Sequence, residues 1–351
     1  MAVEGARTLK ELADRLGISV ATVSRALAGH EQIAEKTRLR VAEAAREMGY
    51  VPNAAARQLV SGRSGFVGFV LPIRGTSLVD SYLGEFITGL GEGLVQHGVD
   101  LLLATAQEGQ SEIAVLRHLV ESGRADGVVI PRVEIADQRI TYLMERGFPF
   151  VAHGRMLDPP GRYSWLDADG ESAFSSAFEL LYDHGHRHFG LLTVSELLTF
   201  RFNRENGLAR AIARRGDPDI RLDIVSAPRF DRRARTAAIQ GLLNAERRPT
   251  AIIALFDELA ISVLEEAEQA GLSVPDDLSV VGYDNIVAAE YTRPGLTTFD
   301  AHARNSATTI AHMLMGEIEN RSDAPRTTLI RPELILRGSH AFAPRSRTDR
   351  S

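Results

Sequence analysis

Hydrophobic positions near the amino terminus recur with the period of a helix. Leu9, Leu12, Ala13 and Leu16 stand at i, i+3, i+4 and i+7, on one stripe. Residues 8–11, Thr-Leu-Lys-Glu, form a capping box in which the Thr8 hydroxyl and the Glu11 carboxylate each satisfy a helix-end N–H, and Gly17 supplies the left-handed residue that ends the helix. A second helix is predicted from a Ser19 cap to about Ala28, stopped by Gly29. A third, over 35–48, buries Val41, Ala44, Ala45 and Met48 ahead of Gly49. The segment NAAARQLV at 53–60 favours helix but offers only about two turns, too few to hold alone in water. SGRSG at 61–65 reads as a flexible connector and the best domain boundary in the chain.

Beyond residue 65 the pattern changes. Short β-rich apolar runs at 66–71, 99–105, 127–130, 148–152, 189–194, 224–227, 251–254 and 278–282 alternate with helical stretches, among them 82–97 and one ending near 122. Such alternation with buried strands belongs to parallel sheets covered by helices on both faces. The body is too long for one comfortable core, so two doubly wound parallel-sheet lobes are expected, with a ligand cleft between them at the C-terminal strand ends. The fold class is therefore α/β with a small all-α head. The head spans 1–50, hinge and linker 51–65, the two-lobed body 66–343 and a disordered tail 344–351; the sequence after Phe342 has no heptad pattern that would suggest a helical tetramerisation element.

Composition narrows the class. The 351 residues, 44% hydrophobic and 25% charged, suffice for two or three domains that need neither disulfides nor metals to fold. The lack of cysteine excludes thiol nucleophiles, iron–sulfur clusters and sulfur-ligated zinc, and it fits a reducing compartment. No basic start and apolar core mark a signal peptide, and no apolar run approaches the roughly 18 residues of a membrane span, so a cytoplasmic protein without membrane contact is expected. The net charge of −6 conceals an asymmetry: residues 1–62 carry nine Lys/Arg against seven Asp/Glu, a local +2 that leaves −8 for the rest. A weakly basic end on an acidic body is compatible with a head that binds nucleic acid.

Two short helices joined by a tight glycine-containing turn make a helix-turn-helix, whose second helix enters the major groove. In that helix Val23 and Leu27 point to the core, while Val20, Ala21, Ser24 and Arg25 share the other side. Thymine methyl groups would cover Val20 and Ala21, and Arg25 can donate two bonds to guanine. A three-helix bundle that binds protein, or nothing, also fits the helices alone. The strings TLKELADRLGISVATVSRALAG and TRLRVAEAAREMGYVPNAAARQL resemble the head of the lac repressor/galactose repressor family of bacterial transcription regulators, and the likeness runs from about Arg7 to His340. That resemblance implies that Val20, Ala21 and Arg25 read bases and that Ser19, Thr22, Ser24 and Thr37 contact phosphates. It further implies that residues from Asn53 form a hinge helix when two subunits meet on DNA, with Leu59 wedged into the minor groove. Ala34 departs from the family, where a serine often caps the third helix.

In the body the resemblance rests on DGVVIP at 126–131, HGHRHFGLL at 184–192, RENG at 204–207, PTAII at 249–253, VPDDLSVVGYDN at 274–285 and GLTTF at 295–299. It implies lobes like those of periplasmic sugar-binding proteins, with Arg204 gripping an effector and Asp284 accepting its hydroxyls. Asp167 and Tyr82 fall in strand-end segments that line such a cleft. A guanidinium facing a carboxylate suits a neutral, hydroxyl-rich ligand, a mono- or disaccharide. Two departures rewrite the pocket: Phe256 stands where many members have an asparagine before the aspartate, here Asp257, and Gly154 replaces an effector-binding aspartate. Phe256 either stacks on a sugar ring or packs the wall, and His153 and Arg155 are the candidates to restore the lost hydrogen bonds. FPFVAHGR at 148–155 and WLDADGE at 165–171 look most like members that regulate α-glucoside, maltose or trehalose use.

The sequence therefore points to a transcriptional regulator, most simply a repressor, bound as a homodimer to a pseudo-palindromic double-stranded operator and controlled by a small sugar-like effector. No residue is assigned a catalytic role and no cofactor is expected. The second reading is a sugar-binding or sugar-converting protein for which DNA is irrelevant. Enzyme signatures are weak: Gly89, Gly91 and Gly93 are followed by Leu94, which breaks G-x-G-x-x-G, and they fall inside a predicted helix. Lysine occurs only at positions 10 and 36, which excludes a Walker A loop, and no G-x-S-x-G elbow is present. His184, His186 and His188 alternate as metal ligands can, although a helix-to-strand turn pinned by His186 explains them as well. Trp165 either touches ligand or packs beneath the cleft.

Overall fold

The computed structural model describes residues 8–27, 32–50, 62–72, 81–107, 109–319 and 324–344. Contacts divide the chain into two compact units, residues 1–65 and 66–351.

In the first unit, α1 (Leu9–Leu16) begins at Thr8, whose hydroxyl accepts the Glu11 N–H at 3.2 Å while the Glu11 carboxylate accepts the Thr8 N–H at 3.1 Å. It ends at Gly17 with φ 65°, a conformation that costs glycine little. Helix α2 (Val20–Leu27) starts where the Ser19 hydroxyl accepts the Thr22 N–H at 3.1 Å, and α3 spans Glu35–Glu47. Ala34 gives α3 no side-chain cap, as the sequence departure implies. Leu12, Val23 and Val41 are fully buried where the three helices meet, joined by Ala26, Ala44, Ala45 and Met48. The expected stop at Gly29 and the hinge segment, including Asn53 and Leu59, lie outside the described residues.

The body carries two parallel sheets. The first, in order β11-β5-β4-β3-β1-β2, is built from β1 (Phe66–Pro72), β2 (Asp100–Ala106), β3 (Gly127–Ile130), β4 (Phe150–His153), β5 (Trp165–Ala168) and β11 (Thr327–Ile330). The second, in order β7-β6-β8-β9, holds β6 (His188–Val194), β7 (Arg221–Ala227), β8 (Ala251–Ala254) and β9 (Ser279–Val281). A short antiparallel pair, β10 (Thr298–Asp300) with β12 (Glu333–Ile335), completes the set. The chain leaves the first sheet after β5, returns with helix Ala303–Ile318 and β11, and ends against the second, where the Val280 N–H donates to the Ser339 carbonyl. Strands β3 and β8 are buried along their whole length, which is why they read as unbroken apolar runs. Helix Ser81–Val95 packs on helix Ala303–Ile318 so closely that a Cβ on Gly89 would collide with the Arg304 carbonyl oxygen. The glycines of the failed dinucleotide motif thus include a helix-packing contact.

Of β5 only a strand end at Asp167 was anticipated, and β10, β11 and β12 were not. The last three are short, and β11 and β12 are half-exposed, so they lack the sustained apolar run that marked the others.

Candidate functional site

Two surfaces gather the chemistry. On α2, Val20 is 42% exposed, Ala21 and Arg25 are exposed and Ser24 is half-buried, while Val23 and Ala26 face inward. The reading of Val23 as core holds, with Ala26 as its buried partner and Leu27 packed at the edge. Ser19 and Thr22 are tied together, their hydroxyls 2.8 Å apart at the start of the helix, and Thr37 is half-buried in the first turn of α3. An apolar pair at the start of α2, with the exposed Arg25 in its last turn, offers the groups a major-groove edge would meet: methyl contact, bidentate guanine recognition and phosphate contact from hydroxyls and helix N–H groups.

The second surface is a cleft between the two sheets of the body, about 790 Å³ of space with the solvent at its open mouth included. Tyr82, His153, Asp167, Arg204, Phe256 and Asp284 all line it. Tyr82 reaches it from the first turn of helix Ser81–Val95 rather than from a strand end. His153 ends β4; its Nδ1 lies 3.3 Å from the Leu166 carbonyl and its Nε2 lies 2.7 Å from the Tyr82 hydroxyl. A carbonyl only accepts, so Nδ1 carries the proton and Nε2 accepts from Tyr82. Burial holds this ring neutral, lowering its pKa to about 4, and keeps the Tyr82 phenol protonated.

Asp167 is buried, accepts the Ala168 N–H at 2.9 Å through Oδ1, and has its pKa pushed up to about 6 by burial against the opposing pull of Arg155. Arg155 does not line the cleft. It backs Asp167, its Nε 3.2 Å from Oδ2 without hydrogen-bond alignment, and lies over Trp165 at 5.3 Å. Trp165 packs with the core of the first lobe and is absent from the cleft lining.

Arg204, on helix Thr199–Arg215, is buried; it donates to the Leu255 carbonyl at 2.5 Å, covers the Tyr283 ring at 3.6 Å and comes within 3.8 Å of Asp284. Asp284 sits in the left-handed region at φ 110°, a strain of about 1–3 kcal/mol for a residue with a Cβ. Phe256 is 3% exposed, with the Arg229 guanidinium 4.5 Å from its ring, which makes it wall packing rather than an open stacking face. Gly154 sits at φ 111°, and a Cβ there would meet Val133 Cγ2 at 3.3 Å, so the position takes glycine readily and a side chain only with strain.

Among the buried polar atoms without a hydrogen-bond partner are an acceptor, Asp167 Oδ2, and a donor, Arg204 Nε, on residues that line the same cleft. The lobes also touch directly: the Val133 carbonyl accepts from the Thr199 N–H at 2.9 Å and its hydroxyl at 3.0 Å, and the Ile135 N–H donates to the Leu197 carbonyl at 3.0 Å. Arg132, Val133, Asn203 and Arg229 line the cleft and were missed. Their signal was positional: Arg132 and Val133 follow β3, Arg229 follows β7, and Asn203 precedes Arg204. A buried ion pair steadies this wall, because Arg139 grips Asp137 and donates to the Pro131 and Arg132 carbonyls at 3.0 and 3.1 Å.

The histidine triplet is structural. His186 lies 2.9 Å from the Thr250 hydroxyl and 3.0 Å from the Ala341 carbonyl, and His188 bonds Asp223; among the described residues no His/Cys/Asp/Glu group is arranged to hold a metal ion.

Residues 8–53 match the bacterial regulatory proteins of the lacI family, and residues 178–340 match the periplasmic binding protein-like domain. The HTH-type transcriptional regulator AglR of Rhizobium meliloti (strain 1021) is 37% identical over 96% of this chain and 95% of its own. The chain belongs to the lacI family of bacterial regulatory proteins. It is a DNA-binding transcriptional regulator, and the reading in which DNA is irrelevant falls. The HTH-type transcriptional repressor CytR of Escherichia coli (strain K12) is 28% identical over 97% of this chain and 98% of its own. A transcriptional regulator CelR–cellobiose complex aligns with a TM-score of 0.72 at 26% identity, covering 95% of this chain and 99% of that one. The lac repressor dimer bound to operator and the anti-inducer ONPF shares the fold, with a TM-score of 0.80 at 22% identity over 96% and 100%. No helix among the described residues is long and apolar enough to cross a membrane.

Proposed function

We propose that this regulator represses transcription from the cytoplasm, as a homodimer on a pseudo-palindromic operator, and that a neutral sugar in the body cleft changes its grip on DNA. The observation that carries the DNA reading is the exposed face of α2, where Val20, Ala21 and Arg25 have no core to join. Arg25 and the Val20–Ala21 pair read bases; Ser19, Thr22, Ser24 and Thr37 meet phosphates. Head (1–50), hinge (51–65), body (66–343) and tail (344–351) divide the work: Asn53 and Leu59 act at the operator centre, and pairing two small heads raises affinity through effective concentration.

In the cleft, a hydroxyl serves as both donor and acceptor, so a neutral sugar suits walls that set the Asp167 and Asp284 carboxyls beside the Arg204 guanidinium. Asp284, Tyr82 and His153 surround the same space, and Phe256 closes it. The α-glucoside class is supported by FPFVAHGR and WLDADGE, whose His153 and Asp167 face the cleft. Binding shifts the balance between lobe arrangements, and thereby the spacing of the two hinges. No catalytic residue and no cofactor enter this account.

A gel-shift series with genomic fragments at moderate salt, with and without saccharides, tests the reading. Specific bands altered by a sugar are expected. A monomer indifferent to duplex sequence overturns it. Leu59→Ala should weaken specific binding and leave nonspecific binding nearly unchanged.

A further inference from the structure

Asp257 follows Phe256 at the start of helix Asp257–Gln269, yet its side chain is fully buried and absent from the cleft lining. Its Oδ2 accepts the Ile286 N–H at 3.0 Å and its Oδ1 accepts the Thr298 hydroxyl at 2.6 Å, while its own N–H donates to the Tyr283 carbonyl at 2.7 Å. The Thr298 oxygen accepts the Asn285 N–H at 3.4 Å, and the Asp284 N–H donates to the Phe299 carbonyl at 2.8 Å. Three consecutive N–H groups, 284–286, are thus held by β10 and by one carboxylate, two of them through Asp257 directly or by way of Thr298.

Those are the residues that need holding. Asp284 has φ of 110°, a position that a side chain with a Cβ keeps only where its surroundings over-determine it, and Asn285 follows at φ 48° in the left-handed well that asparagine tolerates. Just before them, a Cβ on Gly282 would collide with Asp257 Oδ1, so the turn passes flush against the carboxylate. A carboxylate is the group that accepts two such hydrogen bonds at once without a donor of its own.

Resting on the reading of the cleft as the effector site, we propose that Asp257 is its positioning residue. It holds 284–286 in the turn that aims Asp284 into the cleft opposite Arg204, and so sets effector affinity without touching the effector. Burial pushes its pKa up to about 7, opposed by the Thr298 and Ile286 hydrogen bonds.

Hydrogen–deuterium exchange of the full-length protein tests the placement without any ligand. In Asp257→Asn, the amide NH2 must face either Ile286 N–H or the Thr298 hydroxyl, and the peptide covering 283–287 should exchange at least about ten-fold faster while β6 keeps its rate. Gly282→Ala, which displaces the carboxylate and leaves it in place chemically, should do the same and serves if the asparagine variant fails to fold. Unchanged exchange in a folded variant overturns the proposal. With maltose as probe, Asp257→Asn should weaken binding about ten-fold or more, and adding it to Asp284→Asn should cost little further; losses that multiply also overturn it. Should the wild type ignore maltose, the α-glucoside reading fails, and the exchange result still decides the role of Asp257.

Discussion

The face of α2 and the cleft are opposite constructions. In the head, the exposed face lies within eight residues of one helix, Val20–Leu27, and its support comes from helices within the same short segment. In the cleft, the walls come from Tyr82, His153, Asp167, Arg204, Phe256 and Asp284, carried by helix starts, strand ends and a strained turn across more than half the chain. The difference is one of tolerance. A helix face is a rigid local template on which exposed residues vary freely, whereas the shape of a cleft built from distant segments depends on buried groups such as Asp257 and Arg139 that do not line it.

That contrast breaks first at Arg204. Arg204→Ala should weaken effector binding by about 3 kcal/mol, roughly a hundred-fold, and abolish the effector response, while operator affinity without effector stays as in the wild type. Calorimetry and gel shifts on the same sample check both halves; an unaltered response would remove Arg204 from the site. The mirror experiment is Arg25→Ala, expected to cost about 1–3 kcal/mol of operator affinity and to relax one base position while effector affinity is untouched. Competition binding on operator variants reads it.

A pH experiment separates the two units by stability. His153 is neutral in the folded body, with its pKa lowered to about 4, and the unfolded chain takes up a proton near 6.5. Its contribution is therefore present above pH 6.5 and is lost as the pH falls toward 4, about 2 kcal/mol by pH 5. Unfolding followed by the emission of Trp165, the only tryptophan, reports on the body. Asp167 and Asp257, whose pKa values are raised, act in the opposite sense in both proteins and cancel in the difference. His153→Gln should therefore gain about 2 kcal/mol of stability relative to the wild type between pH 7.5 and 5, and an equal slope in both proteins would contradict the buried neutral ring. The smallest effect is expected in the head: Thr8→Ala removes half of the capping box and about 1 kcal/mol of head stability. Amide spectra of the head should show earlier melting while the Trp165 transition stays put.

Much of this was legible in the residues. The helix boundaries of the head came from local chemistry, Thr8 with Glu11 and Gly17, because capping acts within one turn of chain. Strands β3 and β8 were read to the residue, since a strand buried on both faces must be apolar throughout. The edge strand β7 began three residues earlier than read, at Arg221, because a half-exposed edge carries polar residues. Arg204 and Asp284 were marked by the family resemblance and do meet in the cleft, but Arg155 turned away behind Asp167, and the neighbours Arg132 and Arg229 went unseen.

What the amino-acid order decided alone was everything set by near neighbours and by period: a three-helix head with an unburied face on its second helix, two parallel sheets, and the segments that end at the cleft. Only tertiary structure decided which side chains at those ends turn inward, that His153 is neutral, that Phe256 packs rather than stands open, and that a buried aspartate holds the turn of another. Burial and hydrogen-bond partners fix those outcomes, and both are supplied by residues tens to hundreds of positions away in the chain.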